Sequence, residues 1–296
     1  MFTGAMVAMI TPFQDGDIDW QTLDEVIRFQ LENGIDAIVP VGTTGECPTL
    51  THEEHKKVIE RVVKTVGGKV PVIAGAGSNS TAEAIELTAF SKKVGADATL
   101  QVCPYYNKPT QEGFYQHFKV ISEEIDLPMV LYNIPGRCGA GLTPQTVARL
   151  AELENIVAIK EATGSLDQAS EIASLCDITI ISGDDSLTLP LASIGGKGVI
   201  SVVANIIPAD VKAMTDAILE GDFTTALKWH KKLFMLSKGM LTLATNPIPI
   251  KAAMAMLNMS SEEMRLPMTP LEESKKAILR QTLQQYGLLA KGNSNF

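Results

Sequence analysis

The sequence predicts a (β/α)8 TIM barrel followed by a small C-terminal all-helical appendage. Three observations predict it. Eight apolar runs rich in β-branched residues recur between Ala5 and Ala204. Each is followed by a segment with helical spacing, the alternation of a parallel sheet with crossover helices. Beyond Asn205 the apolar runs cease and only helical patterns remain. The barrel is assigned to residues 1–222 and the helical region to residues 223–296. A doubly wound sheet is the alternative, but no G-x-G-x-x-G follows the first run.

The first run is Ala5–Phe13. Leu23, Val26, Ile27 and Leu31 then fall on one helical face ahead of the second run, Ile35–Val41. Thr51 with Glu54 fits a capping box, and Val58, Ile59, Val62, Val63 and Val66 give that helix its apolar stripe. Val70–Gly75 follows. Ser80 with Glu83 repeats the box before the fourth run, Ala96–Pro104. Leu127–Ile134 precedes Thr143-Pro144, a cap with proline at the first helical position. Ile156–Glu161 precedes Ser165 and Gln168, a third box. Ile178–Ser182 and Gly198–Ala204 complete the set. Gly34, Gly68, Gly95 and Gly198 are expected helix stops. The later helices read as Pro208–Glu220, Phe223–Leu243, Pro249–Leu257 and Pro270–Tyr286, the last capped by Thr269-Pro270 with Glu272 three residues after the threonine.

Composition narrows the function. The 296 residues are 45% hydrophobic and 20% charged, an ordinary globular mixture. The net charge of −9 is dispersed and no basic run occurs, which argues against nucleic-acid binding. An anionic substrate then needs a local arginine or a helix N-terminus. Cys47, Cys103, Cys138 and Cys176 form no C-x-x-C pair, and no histidines fall at zinc spacing. Neither a disulfide framework nor a metal is expected, and a cytoplasmic setting is. The N-terminal MFTGAMVAMITPF has no basic leader or cleavage pattern, and no stretch reaches the ~18 to 20 apolar residues of a membrane span.

The unusual polar residues fall after strands, where this fold builds its sites. Lys160 ends the sixth run. Alternation places Ile156, Ala158 and Lys160 on one face. Hydrocarbon flanking an amine disfavours its charged form, and a neutral amine can capture a ketone as a Schiff base. The ordinary alternative is a strand-end lysine paired with Glu161. Tyr132 shares the inward parity on the fifth run, and a phenol beside that amine can shuttle protons. Gly42-Thr43-Thr44-Gly45-Glu46 offers hydroxyls and free N–H groups that suit a carboxylate, or is a plain turn. Arg137 can clamp a second carboxylate, or form a surface ion pair. Gly183-Asp184-Asp185 ends the seventh run.

Six segments carry a resemblance: GTTGE at 42–46, PYYNKP at 104–109, YN-x-P-GR at 132–137, IKEATG at 159–164, SGDD at 182–185 and NPIPIK at 246–251. Over nearly the whole chain the sequence resembles the dihydrodipicolinate synthase family of Schiff-base pyruvate aldolases. YN-x-P-x-R is the narrower signature. It separates this family from its sisters, N-acetylneuraminate lyase and the keto-sugar-acid aldolases, which stand as the alternative reading. A barrel that only senses or scaffolds is the non-enzymatic one.

The resemblance implies pyruvate and L-aspartate 4-semialdehyde as substrates, with Lys160 as the imine-forming residue and no separate cofactor. Tyr132 is then the proton donor and acceptor, with Thr44 and Tyr106 completing a relay, Tyr106 reaching a partner subunit's site. Thr43 and Thr44, helped by the backbone near Ile200, hold the pyruvate carboxylate. Arg137 holds the semialdehyde carboxylate, and Gly183 and Asn246 give structural support. A homotetramer built as a dimer of dimers is implied. An L-lysine effector pocket is implied at Cys47, Pro48, His52, His55, Asn79, Glu83 and Tyr105. Cys47 and Pro48 depart from the small residues expected there. Cys138 has no assigned role, and an acidic residue expected just before Asn246 is missing.

Overall fold

The computed structural model of the protein describes residues 2–290. All eight strands form: β1 Gly4–Ala8, β2 Ala37–Val39, β3 Ile73–Gly75, β4 Ala98–Val102, β5 Met129–Asn133, β6 Ile156–Glu161, β7 Thr179–Ser182 and β8 Gly198–Ser201. They run parallel in the order β2-β1-β8-β7-β6-β5-β4-β3. The ring closes between β2 and β3 by a single bridge, Ile38 to Val72. Proline explains the thin seam. Pro40 and Pro71 have no N–H to give, and the bonds there run into their carbonyls, from Gly75 and Ile38, each at 3.0 Å.

Crossover helices cover the outside: α1 Trp20–Glu32, α2 His52–Val66, α3 Thr81–Val94, α4 Gln111–Glu124, α5 Pro144–Leu150, α6 Leu166–Leu175, α7 Thr188–Ala192 and α8 Pro208–Leu219. The appendage is α9 Phe223–Leu241, α10 Ile248–Met256 and α11 Glu273–Tyr286. Residues 291–296 of the expected helical region lie outside the described residues. The two regions share apolar packing, since Leu233, Leu236, Ile250 and Leu279 join one cluster with Ile10, Phe13 and Ile207 of the barrel. Position 222 is therefore a change of architecture, not a gap in the core. No described helix is long and apolar enough to cross a membrane.

Several local expectations change. Except for β6, whose bounds match its run, the strands are shorter than the apolar runs; after β1 the chain turns into a small hairpin pairing Phe13 with Ile18. Thr51 and Glu54 make the full capping box on α2, a cap worth about 1 kcal/mol. Ser80 makes no such bond, because Glu83 turns to Ser78 and His52 instead. Ser165 caps α6, but the Gln168 amide is spent on the Leu142 carbonyl. Gly95 takes a left-handed cap as expected, but Gly67 rather than Gly68 caps α2, and Gly198 lies within β8. A Cβ there would sit 2.4 Å from the Gly4 carbonyl oxygen. The last helix begins at Glu273, not Pro270, because Leu271 is drawn into the core first.

The barrel interior is a stack of Met6, Val39, Ile73, Leu100, Val130, Ala158, Ile181 and Ile200. Ile156 is not part of it. The β5–β6 register shifts between Met129 and Val130, pairing Met129 with Ile156 but Val130 with Ala158. The extra residue, Val157, turns Ile156 outward against the helices.

Candidate active site

The shift sets the two residues that matter most. Above it Tyr132 and Lys160 pair directly across β5 and β6. Both stand on the inner face above Val130, Ala158 and Ile181, and each is 5% exposed. Lys160 Nζ lies 4.2 Å from the centre of the Tyr132 ring. Burial pushes the amine down to about 8 and the phenol up to about 12. Asp184 and Asp185 oppose the fall of the lysine, and Arg137 adds to it. Glu161 cannot serve as the lysine's partner. It faces the outer side, where it accepts from Thr163 N at 2.8 Å and Asn133 Nδ2 at 3.2 Å. The strand-end ion pair allowed by sequence is thereby excluded.

The cavity around the amine measures about 640 Å³. Thr43, Thr44, Arg137, Gly183 and Ile200 all reach it, as expected. The β2–α2 loop delivers the threonines through a tight turn in which Glu46 N donates to the Thr43 carbonyl at 3.2 Å. Gly45 permits that turn: a Cβ would lie 2.9 Å from Val41 backbone atoms. The two hydroxyls have different partners. The Thr43 hydroxyl lies beside the Tyr132 phenol and partly offsets its rise, while Thr44 Oγ1 accepts from Asn246 Nδ2 at 3.0 Å. Arg137, on a one-turn helix Pro135–Cys138, is exposed at the mouth and donates to the Asn246 carbonyl at 2.9 Å. Gly183 sits where a Cβ would meet Ala162 at 2.5 Å, so it lets β7 close on β6.

A smaller cavity of about 160 Å³ opens on the outer side of the same loop. Cys47, Pro48, His52, His55, Glu83 and Tyr105 line it. His52 pairs with Glu83 at 2.7 Å. The His55 ring bonds the Gly75 carbonyl at 2.7 Å, and burial lowers its pKa. Asn79 does not line the cavity; its amide instead donates to the Tyr105 carbonyl at 3.1 Å.

The Dihydrodipicolinate synthetase family matches residues 1–286. The chain belongs to that family. The 4-hydroxy-tetrahydrodipicolinate synthase of Pelobacter propionicus is 53% identical over 291 residues, covering 98% of this chain and 100% of that protein. The crystal structure of dihydrodipicolinate synthase from Aquifex aeolicus is 50% identical, with a TM-score of 0.95 over 97% of this chain and 99% of its own. A lysine-bound family structure from Cyanidioschyzon merolae is 44% identical, with a TM-score of 0.94 over 97% and 99%.

Within the family fold, Tyr106 is the predicted residue that stays away from the cavity of its own chain. It is 89% exposed, on a left-handed backbone with φ of 71°. Asp184, Asp185 and Asn246 line the cavity, yet sequence reasoning gave the aspartates no role and Asn246 only support. The signal for the aspartates was present: two adjacent carboxylates at a strand's C-terminal end. Asp185 is fixed by Ser201 Oγ and by the N–H groups of Val202 and Val203 at 3.0 and 3.2 Å. Cys138 is buried in the apolar layer outside the barrel, and burial pushes its thiol up to about 11. That chemistry is of an inert packing residue.

Proposed function

We propose that Lys160 is the nucleophile with which this lyase condenses pyruvate with L-aspartate 4-semialdehyde to give 4-hydroxy-tetrahydrodipicolinate, the entry to the lysine and diaminopimelate branch. The observation that carries the assignment is the pairing, inside a closed barrel, of an amine lowered toward neutrality with a phenol that keeps its proton. With a pKa of about 8, roughly a tenth of the amine is neutral at pH 7.

Lys160 Nζ attacks the keto carbon of pyruvate. The Tyr132 phenol protonates the leaving hydroxyl, water departs, and a protonated imine remains. That imine is the electron sink; loss of a methyl proton gives the enamine. The enamine carbon attacks the aldehyde carbon of the semialdehyde, and the new alkoxide takes a proton. The semialdehyde's own amino group then attacks the imine carbon, closes the ring and expels the lysine amine. Thr43, beside the phenol, fits the relay better than Thr44, to which the resemblance assigned it. Both threonines and the backbone at Ile200 surround the place for the pyruvate carboxylate.

Arg137 at the mouth favours this reaction over a sister aldolase, whose polyhydroxylated substrate has no second carboxylate there to match a guanidinium. A coupled assay with pyruvate plus aspartate semialdehyde, set against pyruvate plus N-acetylmannosamine, tests the choice; turnover of the second pair alone overturns it. Arg137→Ala should lower kcat/KM for the semialdehyde by about a hundredfold, within the ~2–5 kcal/mol cost of removing a buried or clamped charge partner. Pyruvate capture by Lys160 should stay intact in that variant.

Tyr106 projects from the surface, which supports its insertion into a second subunit's site within a dimer of dimers. A second reading concerns the smaller cavity. Six of the seven positions implied for L-lysine meet there, and Glu83 with His52 can take its ammonium and carboxylate ends. Initial rates with millimolar L-lysine are expected to fall by more than half. Unchanged rates remove that reading and leave the catalytic one standing.

A further inference from the structure

Several contacts tie the appendage to the site, three of them through Asn246 and Lys251. Asn246 holds Thr44, the Asn246 carbonyl holds Arg137, and Lys251 of α10 forms an ion pair with Glu46 of the β2–α2 loop. The third contact is unusual, because Lys251 has no exposure and Glu46 only 2%. Removing two charges from water is costly unless further partners complete the pair. Lys251 has such partners, whereas the Glu46 carboxylate leans chiefly on the lysine itself. Lys251 Nζ donates to the Glu263 carbonyl at 2.8 Å and lies 4.2 Å from the centre of the Phe13 ring. Arg265 N donates to Glu46 at 3.4 Å, and its guanidinium, paired with Glu54, lies 4.6 Å from the same ring.

Glu46 is also conformationally displaced. Its φ of 54° is in the left-handed region, which a side chain with a Cβ enters at a cost and holds only when its surroundings fix it. The turn that presents Thr43 and Thr44 closes on this residue, through Glu46 N to the Thr43 carbonyl. Neither Glu46 nor Lys251 lines the cavity.

We propose that the buried Glu46–Lys251 pair is a positioning device for the reaction, holding the β2–α2 turn left-handed so that Thr43 and Thr44 face the pyruvate carboxylate. It rests on the assignment of that carboxylate to the threonines. The appendage thereby supplies part of the site's geometry without touching substrate.

The full-length protein tests this with two variants and two readouts. Glu46→Gln keeps size and an acceptor for Lys251 but leaves its ammonium buried and unpaired, so it is expected to lower the Tm and to raise the pyruvate KM of the folded protein about tenfold. Lys251→Met alone strands a buried carboxylate and lowers the Tm. Glu46→Gln with Lys251→Met removes both charges and recovers much of that Tm, because no lone charge then stays buried. Its kcat/KM for pyruvate is nonetheless expected about a hundredfold below wild type, the scale of a displacement near 1 Å. Wild-type pyruvate kinetics in Glu46→Gln, or losses in the double variant that only track its folded fraction, overturn the proposal. Thr44→Ala with an unchanged pyruvate KM removes the underlying threonine assignment instead.

Discussion

Lys160→Ala is expected to lose covalent capture of pyruvate altogether. Borohydride reduces a lysine imine to a stable secondary amine, so the wild-type protein carries one pyruvate-derived adduct on the peptide containing Ile159-Lys160-Glu161. The variant should carry none, and its kcat should fall by at least about 10⁴-fold, the scale seen when a covalent nucleophile is removed. The pH dependence gives an independent check. Burial disfavours the ammonium form, so the neutral amine appears at lower pH than for an exposed lysine. Capture should speed up as pH rises toward about 8 and level off above it. A rate still climbing at pH 10, or an adduct on another lysine, would overturn the assignment.

Tyr132→Phe is expected to lower kcat by about 10³-fold, within the usual range for losing a positioned general acid–base. The ring that covers the amine is kept, so the site's shape and dryness are preserved. Only the proton carrier is lost. Borohydride should therefore still label Lys160, but more slowly, because carbinolamine dehydration has lost its proton donor. A variant with wild-type turnover places the acid elsewhere in the cavity.

What could be read in the chain follows from how a barrel is buried. Parallel strands covered on both faces show as apolar runs, so all eight strands were visible, though most of their ends were not. Lys160 and Tyr132 were legible because alternation along a strand is local. The outward turn of Ile156 was not, since it depends on a register shift set by the neighbouring strand. Which of Thr43 and Thr44 lies beside the phenol was hidden for a related reason. Adjacent residues in a turn point in directions fixed by the turn's dihedrals and by contacts such as Asn246, distant in sequence. Glu83 shows the limit of motif reading: its spacing from Ser80 suits a cap, yet closer partners take the carboxylate. The Glu46–Lys251 pair left no local trace, because each residue alone looks like an ordinary surface charge.

The β2–β3 seam has a consequence for how the catalytic ring is kept in shape. The stave that feeds the hydroxyl loop is joined to β3 by a single bridge, with two prolines thinning the stitching at that point. Backbone pairing alone is a poor guarantor of where that loop points. Its aim is secured from outside the ring, by a bracket the chain reaches only after every stave has been laid down.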